Sequence, residues 1–242
     1  MNFFDLHMHS AFSEGTSSLE QLASTAKTLG YKGICFSSYF SGNEVIKKFY
    51  DEIEKIKQKV GIEIFLGFEA RNVKELNMLI ERRKKFDILL ARGGDLKLNR
   101  LACETPEVDI LTHPEFERND SGLNHVLVRA AAKNDVAIEI NFREVLIYSK
   151  KTRAKVIANI SRNVELAKKY GAPLIICSGA ISHYELRDPL VMSSFATTLG
   201  MNLKYSKDSI SKVPENILNE IKKRKSEKWI MPGVEIIKKV IK

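Results

Sequence analysis

The 242 residues predict an α/β protein whose parallel strands close into a (β/α) barrel, and three observations carry that reading. Short apolar runs alternate with longer segments of helical period along nearly the whole chain, the pattern that parallel α/β folds produce. Several of those runs are apolar without interruption, as strands buried on both faces are. No G-x-G-x-x-G follows the first strand and no P-loop occurs, so the nucleotide-binding open sheets lose their main support.

FFDLH is the first strand. SSLEQLASTAKTLG then places Leu19, Leu22, Ala23 and Ala26 on one stripe behind a serine N-cap and stops at Gly30. GICFSS is the second strand, and NEVIKKFYDEIEKIKQKVG repeats the helical pattern with Val45, Phe49, Ile53, Ile56 and Val60 before closing on glycine. IEIFLGFEA, FDILLA and VDILTH supply the third, fourth and fifth strands; GLNHVLVRAAAKNDV reads as a helix and VAIEINF as the sixth strand. TRAKVIANISRNVELAKKYGAP is a long amphipathic helix, PLIICSG the seventh strand, and a weak eighth is expected near Leu199 to Lys204. Residues 1–205 thus form the barrel. From Ser206 the composition turns polar and basic, so 206–242 read as a C-terminal helix and basic extension, packed on the barrel or extending from it, with Trp229 as its one large apolar anchor.

A chain 44% hydrophobic and 29% charged has enough apolar residues for one sizeable core. No apolar stretch reaches the roughly 20 residues of a membrane span, and MNFFDLH lacks the basic-then-apolar layout of a signal peptide, so a cytoplasmic protein without a membrane partner is expected. Cys35, Cys103 and Cys177 form no C-x-x-C pair, which argues against a disulfide framework and a cysteine zinc site; Cys35 and Cys177 lie in apolar runs and are expected in the core. The net charge of +9 favours polyanionic partners. Lys222, Lys223, Arg224 and Lys225 form one basic cluster, with Lys228 after it; Lys150, Lys151, Arg153 and Lys155 form another, and either could be a solvated helix face.

Chemistry in such barrels gathers at the C-terminal strand ends. There the sequence puts His7 and His9, which point the same way from one strand, then Glu69, His113, and Glu139 with Asn141. Imidazole and carboxylate groups suit zinc or manganese. His7, His9, Glu69 and His113 could hold one ion, or each histidine could be hydrogen-bonded in a polar pocket. The second strand ends in FSSYF and the seventh in ICSGAIS, hydroxyls and glycine where a multinuclear phosphoesterase would need acids and imidazoles.

DLHMHSAFSEG, GFEAR and DILTHP resemble the polymerase and histidinol phosphatase (PHP) superfamily. That likeness implies a distorted TIM-like (β/α) barrel with a metal centre for phosphoester hydrolysis. The family's T-D-H and S-D-A-H elements are replaced by Phe36-Ser37-Ser38-Tyr39 and Ser178-Gly179-Ala180, so half the expected ligands are absent. The second half carries a more specific likeness. SGLNHVLVRAAAKNDVAIEINFREVL, RAKVIANISRNVELAKKYGAPLIICSGA, HYELRDP and FATTLGM resemble the archaeal ribonuclease P protein component 3 family, relatives of the eukaryotic thirty-kilodalton RNase P and MRP subunit, over roughly residues 1–218. The resemblance implies a protein that assists the RNA subunit, itself dependent on Mg2+, in removing the 5′ leader of precursor tRNA. It implies no cofactor of the chain's own beyond a single residual metal ion. Its implied partners are the RNase P RNA, precursor tRNA indirectly, component 2 in a heterotetramer of two plus two, and the other RNase P proteins. On this reading no residue of the chain is catalytic. The RNA contacts fall to Arg143, Lys150, Lys151, Arg153, His183 and Arg187 on one rim of the barrel and to the basic cluster at 222–225. A metal-dependent PHP-type phosphoesterase is the alternative.

Overall fold

Seven strands run parallel in chain order, β1 (Phe4–His9), β2 (Gly33–Ser38), β3 (Glu63–Ala70), β4 (Ile88–Arg92), β5 (Ile110–Thr112), β6 (Ala137–Asn141) and β7 (Leu174–Cys177). A computed structural model describes residues 1–231 and 234–236; the last six positions of the expected basic extension lie outside the described residues. The sheet closes on itself where Met8 bridges Ala180, the Gly179 N–H donates to the His7 carbonyl at 3.0 Å, and the His9 N–H to the Ala180 carbonyl at 2.8 Å.

The expected eighth strand is not formed. The stretch from Leu199 to Lys204 instead ends one helix, α8 (Pro189–Thr198), and starts another, α9 (Leu203–Asp208). Gly200 adopts a φ of +90°, and the Asn202 side chain accepts the Tyr205 N–H at 2.8 Å, so two caps occupy the residues a strand would need. The seam is instead laced from below, where Ile210 and Ser209 offer their carbonyls to the Phe4 and Ile176 N–H groups at 3.0 and 3.1 Å.

Caps explain the helices. Ser18 and Gln21 form a capping box on α1 (Leu19–Thr28); α2 (Asn43–Val60) and α7 (Lys150–Tyr170) stop at left-handed Gly61 and Gly171. α5 (His125–Lys133) starts from Asn124. Among the helices that the apolar pattern does not single out are α3 (Val73–Ile80), α4 (Leu96–Glu104) and α6 (Phe142–Ile147). Each is started by a side-chain cap, from Asn72, Asp95 and Asn141.

Outward-facing strand residues such as Phe36, Leu66, Phe68, Leu89 and Ile138 pack under the helices. Inward-facing Phe4, Leu6, Cys35, Ile88, Leu90, Ile110, Ala137, Ile175 and Cys177 form a second cluster, closed from below by Ile217, Leu218 and Ile221 of α10 (Lys212–Lys225). A register shift between Asp5 and Met8 lets β1 feed Phe4 and Leu6 to this lower cluster and still turn His7 and His9 toward the upper mouth. Cys35, Cys103 and Cys177 are all buried and unpaired.

α10 changes the reading of the basic cluster. Asp87 and Asp109 stand just before β4 and β5 and accept the N–H groups of Leu66 and Leu89, each at 2.8 Å. Arg83 and Arg224 both pair with Asp109, and Lys225 pairs with Asp87. Arg224 and Lys225 therefore seal the floor of the barrel, opposite the strand ends that carry the histidines, and are not cations free for nucleic acid. Lys223 pairs with Glu220 at 2.5 Å, and Lys222 remains on the exposed side. Trp229 begins a short hairpin, β8 (Trp229–Met231) with β9 (Val234–Glu235), and its ring lies 5.0 Å from the Lys84 ammonium. No helix among the described residues is long and apolar enough to cross a membrane.

Candidate functional site

Four strands deliver inward side chains to the mouth. His7 and His9 come from β1, Glu69 from β3, Thr112 from β5, and Glu139 with Asn141 from β6. His113 follows β5 with a φ of +28°, a conformation that strains a residue with a Cβ and that its surroundings must hold in place.

The three imidazoles share one orientation. His7 Nδ1 meets Glu139 Oε1 at 2.7 Å, His9 Nδ1 meets Ser13 Oγ at 3.1 Å, and His113 Nδ1 meets Glu144 Oε1 at 3.3 Å. All three Nε2 atoms therefore turn inward, where Glu69 waits. Its oxygens lie 3.6 Å from His7 Nε2, 3.7 Å from His9 Nε2 and 3.8 Å from His113 Nε2, while His7 and His9 bring their Nε2 atoms to 3.1 Å of each other. Thr112 Oγ1 donates to Glu69 Oε1 at 2.7 Å. Glu69 Oε2 and His113 Nε2 are buried without a hydrogen-bond partner, the mark of groups arranged for something between them.

Electrostatics follows from burial and these contacts. Burial works against charge on His7, but Glu139, Glu69 and Asp5 outweigh it and hold its pKa up to about 9. Burial, with the like charge of His7 beside it, brings His9 down to about 4. Burial would raise Glu69, yet His7, His9, His113 and Arg92 hold it at about 2. Glu139 is lowered for the same reason, chiefly by His7.

The donor set fits one metal ion. His7, His9 and Glu69 offer ligand atoms within 4.8 Å of one another, His113 Nε2 lies beside that group at 3.8 Å from Glu69 Oε1, and acceptors on the far side of each ring fix the tautomers that ligation needs. It does not fit two. Glu139 is committed to His7, to the His113 N–H at 2.9 Å and to Asn141 Nδ2 at 3.1 Å. Ser37 and Ser38 end β2 without a carboxylate. At Gly179 (φ +61°) a Cβ would lie 2.5 Å from the Asn141 side chain, so Asn141 fills the space that an aspartate there would occupy.

Arg92, Glu14 and Glu144 were not among the expected site residues. Arg92 lies 3.8 Å from Glu69 and 3.3 Å from Glu14, and donates to the Tyr39 hydroxyl at 2.7 Å. As the last residue of β4 it obeys the strand-end rule that found Glu69; Glu14 and Glu144 come from a loop and a short helix and carry no such signal. A cavity of about 310 Å³ opens over His7, His9 and His113, walled by Arg92, Arg143 and Tyr148.

Of the expected rim cations Arg143 lines this mouth, and the others follow β6 and β7 in the chain, at the same end of the barrel. Arg143 binds Glu185 at 3.1 Å; Lys150 and Lys151 are exposed at the start of α7; and Arg153 donates to the Tyr148 carbonyl at 2.6 Å. His183 Nδ1 meets Ser17 Oγ at 2.8 Å, and Arg187 donates to the carbonyls of Tyr184 and Leu186, both at 2.8 Å, not to Asp188.

Residues 2–226 match the family model described as RNase P subunit p30. The chain is 36% identical over 238 residues to ribonuclease P protein component 3 of Methanosarcina mazei, covering 97% of this chain and 95% of that one. It is 33% identical to the protein of the same name from Methanothermobacter thermautotrophicus, covering 91% and 90%. Its fold is similar to a chain in the cryo-EM structure of archaeal ribonuclease P with mature tRNA, with a TM-score of 0.80 at 30% identity over 98% of this chain and all (100%) of that chain. It also shares the fold, at a TM-score of 0.62 and 15% identity over 97% and 100%, with metal-dependent tyrosine phosphatases of Bacillus subtilis and Streptococcus pneumoniae.

Proposed function

From the premise that the chain belongs to the RNase P subunit p30 family, we propose that it is a protein component of archaeal ribonuclease P, assisting the RNA subunit in endonucleolytic removal of the 5′ leader from precursor tRNA. One observation carries the reading: the likeness to component 3 proteins spans nearly the whole chain at a third identity or more. Catalysis belongs to the RNA and its Mg2+. This chain contributes cations that neutralise phosphate, release counterions and hold the catalytic domain of the RNA in its active form. Arg143, Lys150, Lys151, Arg153, His183 and Arg187 make those contacts around the mouth. The subunit works in the cytoplasm with component 2, two copies of each, and with the other RNase P proteins.

His7, His9, Glu69 and His113 would hold a single zinc- or manganese-type ion that ties three strand ends together. Such an ion, when bound, supplies Lewis acidity. The chain's own groups keep the imidazoles oriented, through Glu139, Ser13 and Glu144, and keep Glu69 ionised. The convergence of these four groups is also what favours the second reading, a PHP-type phosphoesterase. Metal analysis and a phosphatase assay with manganese or zinc test it: activity lost in His7→Ala and His9→Ala would support it, and no activity in any of the three proteins would remove it.

The main reading is tested by reconstituting precursor tRNA cleavage with and without this chain, and by binding to RNase P RNA over a salt series. Replacing Arg143, Lys150, Lys151 and Arg153 by glutamine flattens the plot of log affinity against log salt by up to about 0.9 for each phosphate that is no longer neutralised. An unchanged slope would show that this surface does not face the RNA.

A further inference from the structure

We propose that Tyr184, backed by the His183 ring, is a platform on which one unpaired base of the RNA stacks, a contact distinct from the phosphate-facing cations of the same rim. The inference rests on the RNA-subunit reading and names a partner surface that charge alone does not reveal. Tyr184 is 80% exposed, more than any other large apolar side chain among the described residues. An aromatic ring left in water forgoes a large burial gain, and one held there rigidly is prepared for a partner.

The rigidity comes from three directions. The loop after β7 makes a 3-10 turn at His183–Glu185, in which the His183 N–H donates to Ser17 Oγ at 3.0 Å and Nδ1 meets the same oxygen at 2.8 Å. Glu185 is gripped by Arg143 at 3.1 Å and by the Ile181 N–H at 3.0 Å, and the Arg187 guanidinium holds the Tyr184 carbonyl at 2.8 Å. With its backbone fixed, the Tyr184 ring lies against His183, centroids 3.9 Å apart and 36° from parallel. One face is thus backed by an imidazole and the other is offered to solvent, and the backbone that carries the ring is ordered before any partner arrives.

Charge selects the occupant. The turn stands between Arg187 and Arg143, the latter paired with Glu185 of the turn, so the unpaired positive charge of this rim comes from Arg187 and from exposed Lys150 and Lys151. A cationic rim draws a phosphate backbone, and an aromatic face beside it takes a base of any identity, because every base has a π-face. The rival occupant is an apolar protein surface reaching across from Leu190 and Val191 of α8, which are 53% and 50% exposed.

The two are separated by measuring the affinity of the full chain for transcribed RNase P RNA across a salt series, for wild type, Tyr184→Ala and Tyr184→Phe. Stacking predicts that Tyr184→Ala weakens binding about 5- to 150-fold. The salt slope stays that of wild type, because a neutral ring releases no counterions. Tyr184→Phe retains affinity within about twofold, since the ring and not the hydroxyl makes the contact. Neither variant shifts the melting temperature, because the ring is exposed. RNA affinity unchanged in Tyr184→Ala, beside a steeply salt-dependent wild type, would overturn the platform and leave the RNA-subunit reading intact. The same result with loss of a protein partner would assign the ring to the rival surface, and a wild type that does not bind the RNA would overturn both readings.

Discussion

Shortening Ile221 to alanine tests whether α10 is a basic appendage or the floor of the barrel. Ile221 is 4% exposed and sits in the inner cluster with Leu6, Cys35, Ile88 and Cys177. Ile221→Ala removes about three methylene equivalents, worth roughly 2.4 kcal/mol in transfer, and leaves a cavity; buried Ile-to-Ala changes cost about 2 to 5 kcal/mol in all. For a domain of this size about 3 kcal/mol corresponds to a melting temperature roughly 6 to 12 °C lower. Lys222, its neighbour on the exposed side, serves as the control, and Lys222→Ala stays within about 0.5 kcal/mol. Urea and thermal unfolding of the isolated protein give both numbers, with the urea m-value expected to be unchanged. If Ile221→Ala were as mild as Lys222→Ala, the inner cluster would not depend on α10 and the helix would not be the barrel's floor.

Gly179→Ala brings a Cβ to 2.5 Å from the Asn141 side chain at a φ of +61°, so strain and overpacking together lower stability by about 2 to 4 kcal/mol, read by denaturant unfolding. Burial raises the Asp5 carboxyl from 3.8 to about 6, a shift worth about 3 kcal/mol in a fully buried group. A raised acid contributes its stability below the unfolded pKa and loses it as pH rises through the folded one, so the advantage of Asp5→Asn over wild type should grow by about 2 kcal/mol between pH 4 and 7. A constant difference across that range would refute it. Burial also pushes Cys103 to about 12 and Cys35 and Cys177 well above the ordinary thiol range, so the folded protein should resist a thiol reagent such as DTNB at pH 8 while the urea-unfolded chain reacts at all three sites.

Much of the fold was legible because a buried strand writes its burial into its own residues. The seven apolar runs became the seven strands, and the stripe Leu19, Leu22, Ala23, Ala26 became the buried face of α1. The convergence of His7, His9, Glu69 and His113 was legible for a similar reason: in a parallel barrel every strand end opens on the same mouth. The run from Leu199 to Lys204 misled, because a few apolar residues between a glycine and an asparagine suit a helix break as well as a short strand.

By itself, then, the sequence determined which faces are buried, where the seven strands run, and that His7, His9, Glu69, His113 and Glu139 meet at one end, since each depends on residues near in the chain or on strand order. Only the tertiary structure decided what α10 is. Its charges read as a nucleic-acid face, yet Arg224 reaches Asp109 and Lys225 reaches Asp87, partners 115 and 138 residues away, and local pattern carries no record of what a returning helix will meet. The turn that presents Tyr184 was decided in the same way, by Ser17 and Arg143 arriving from other parts of the barrel.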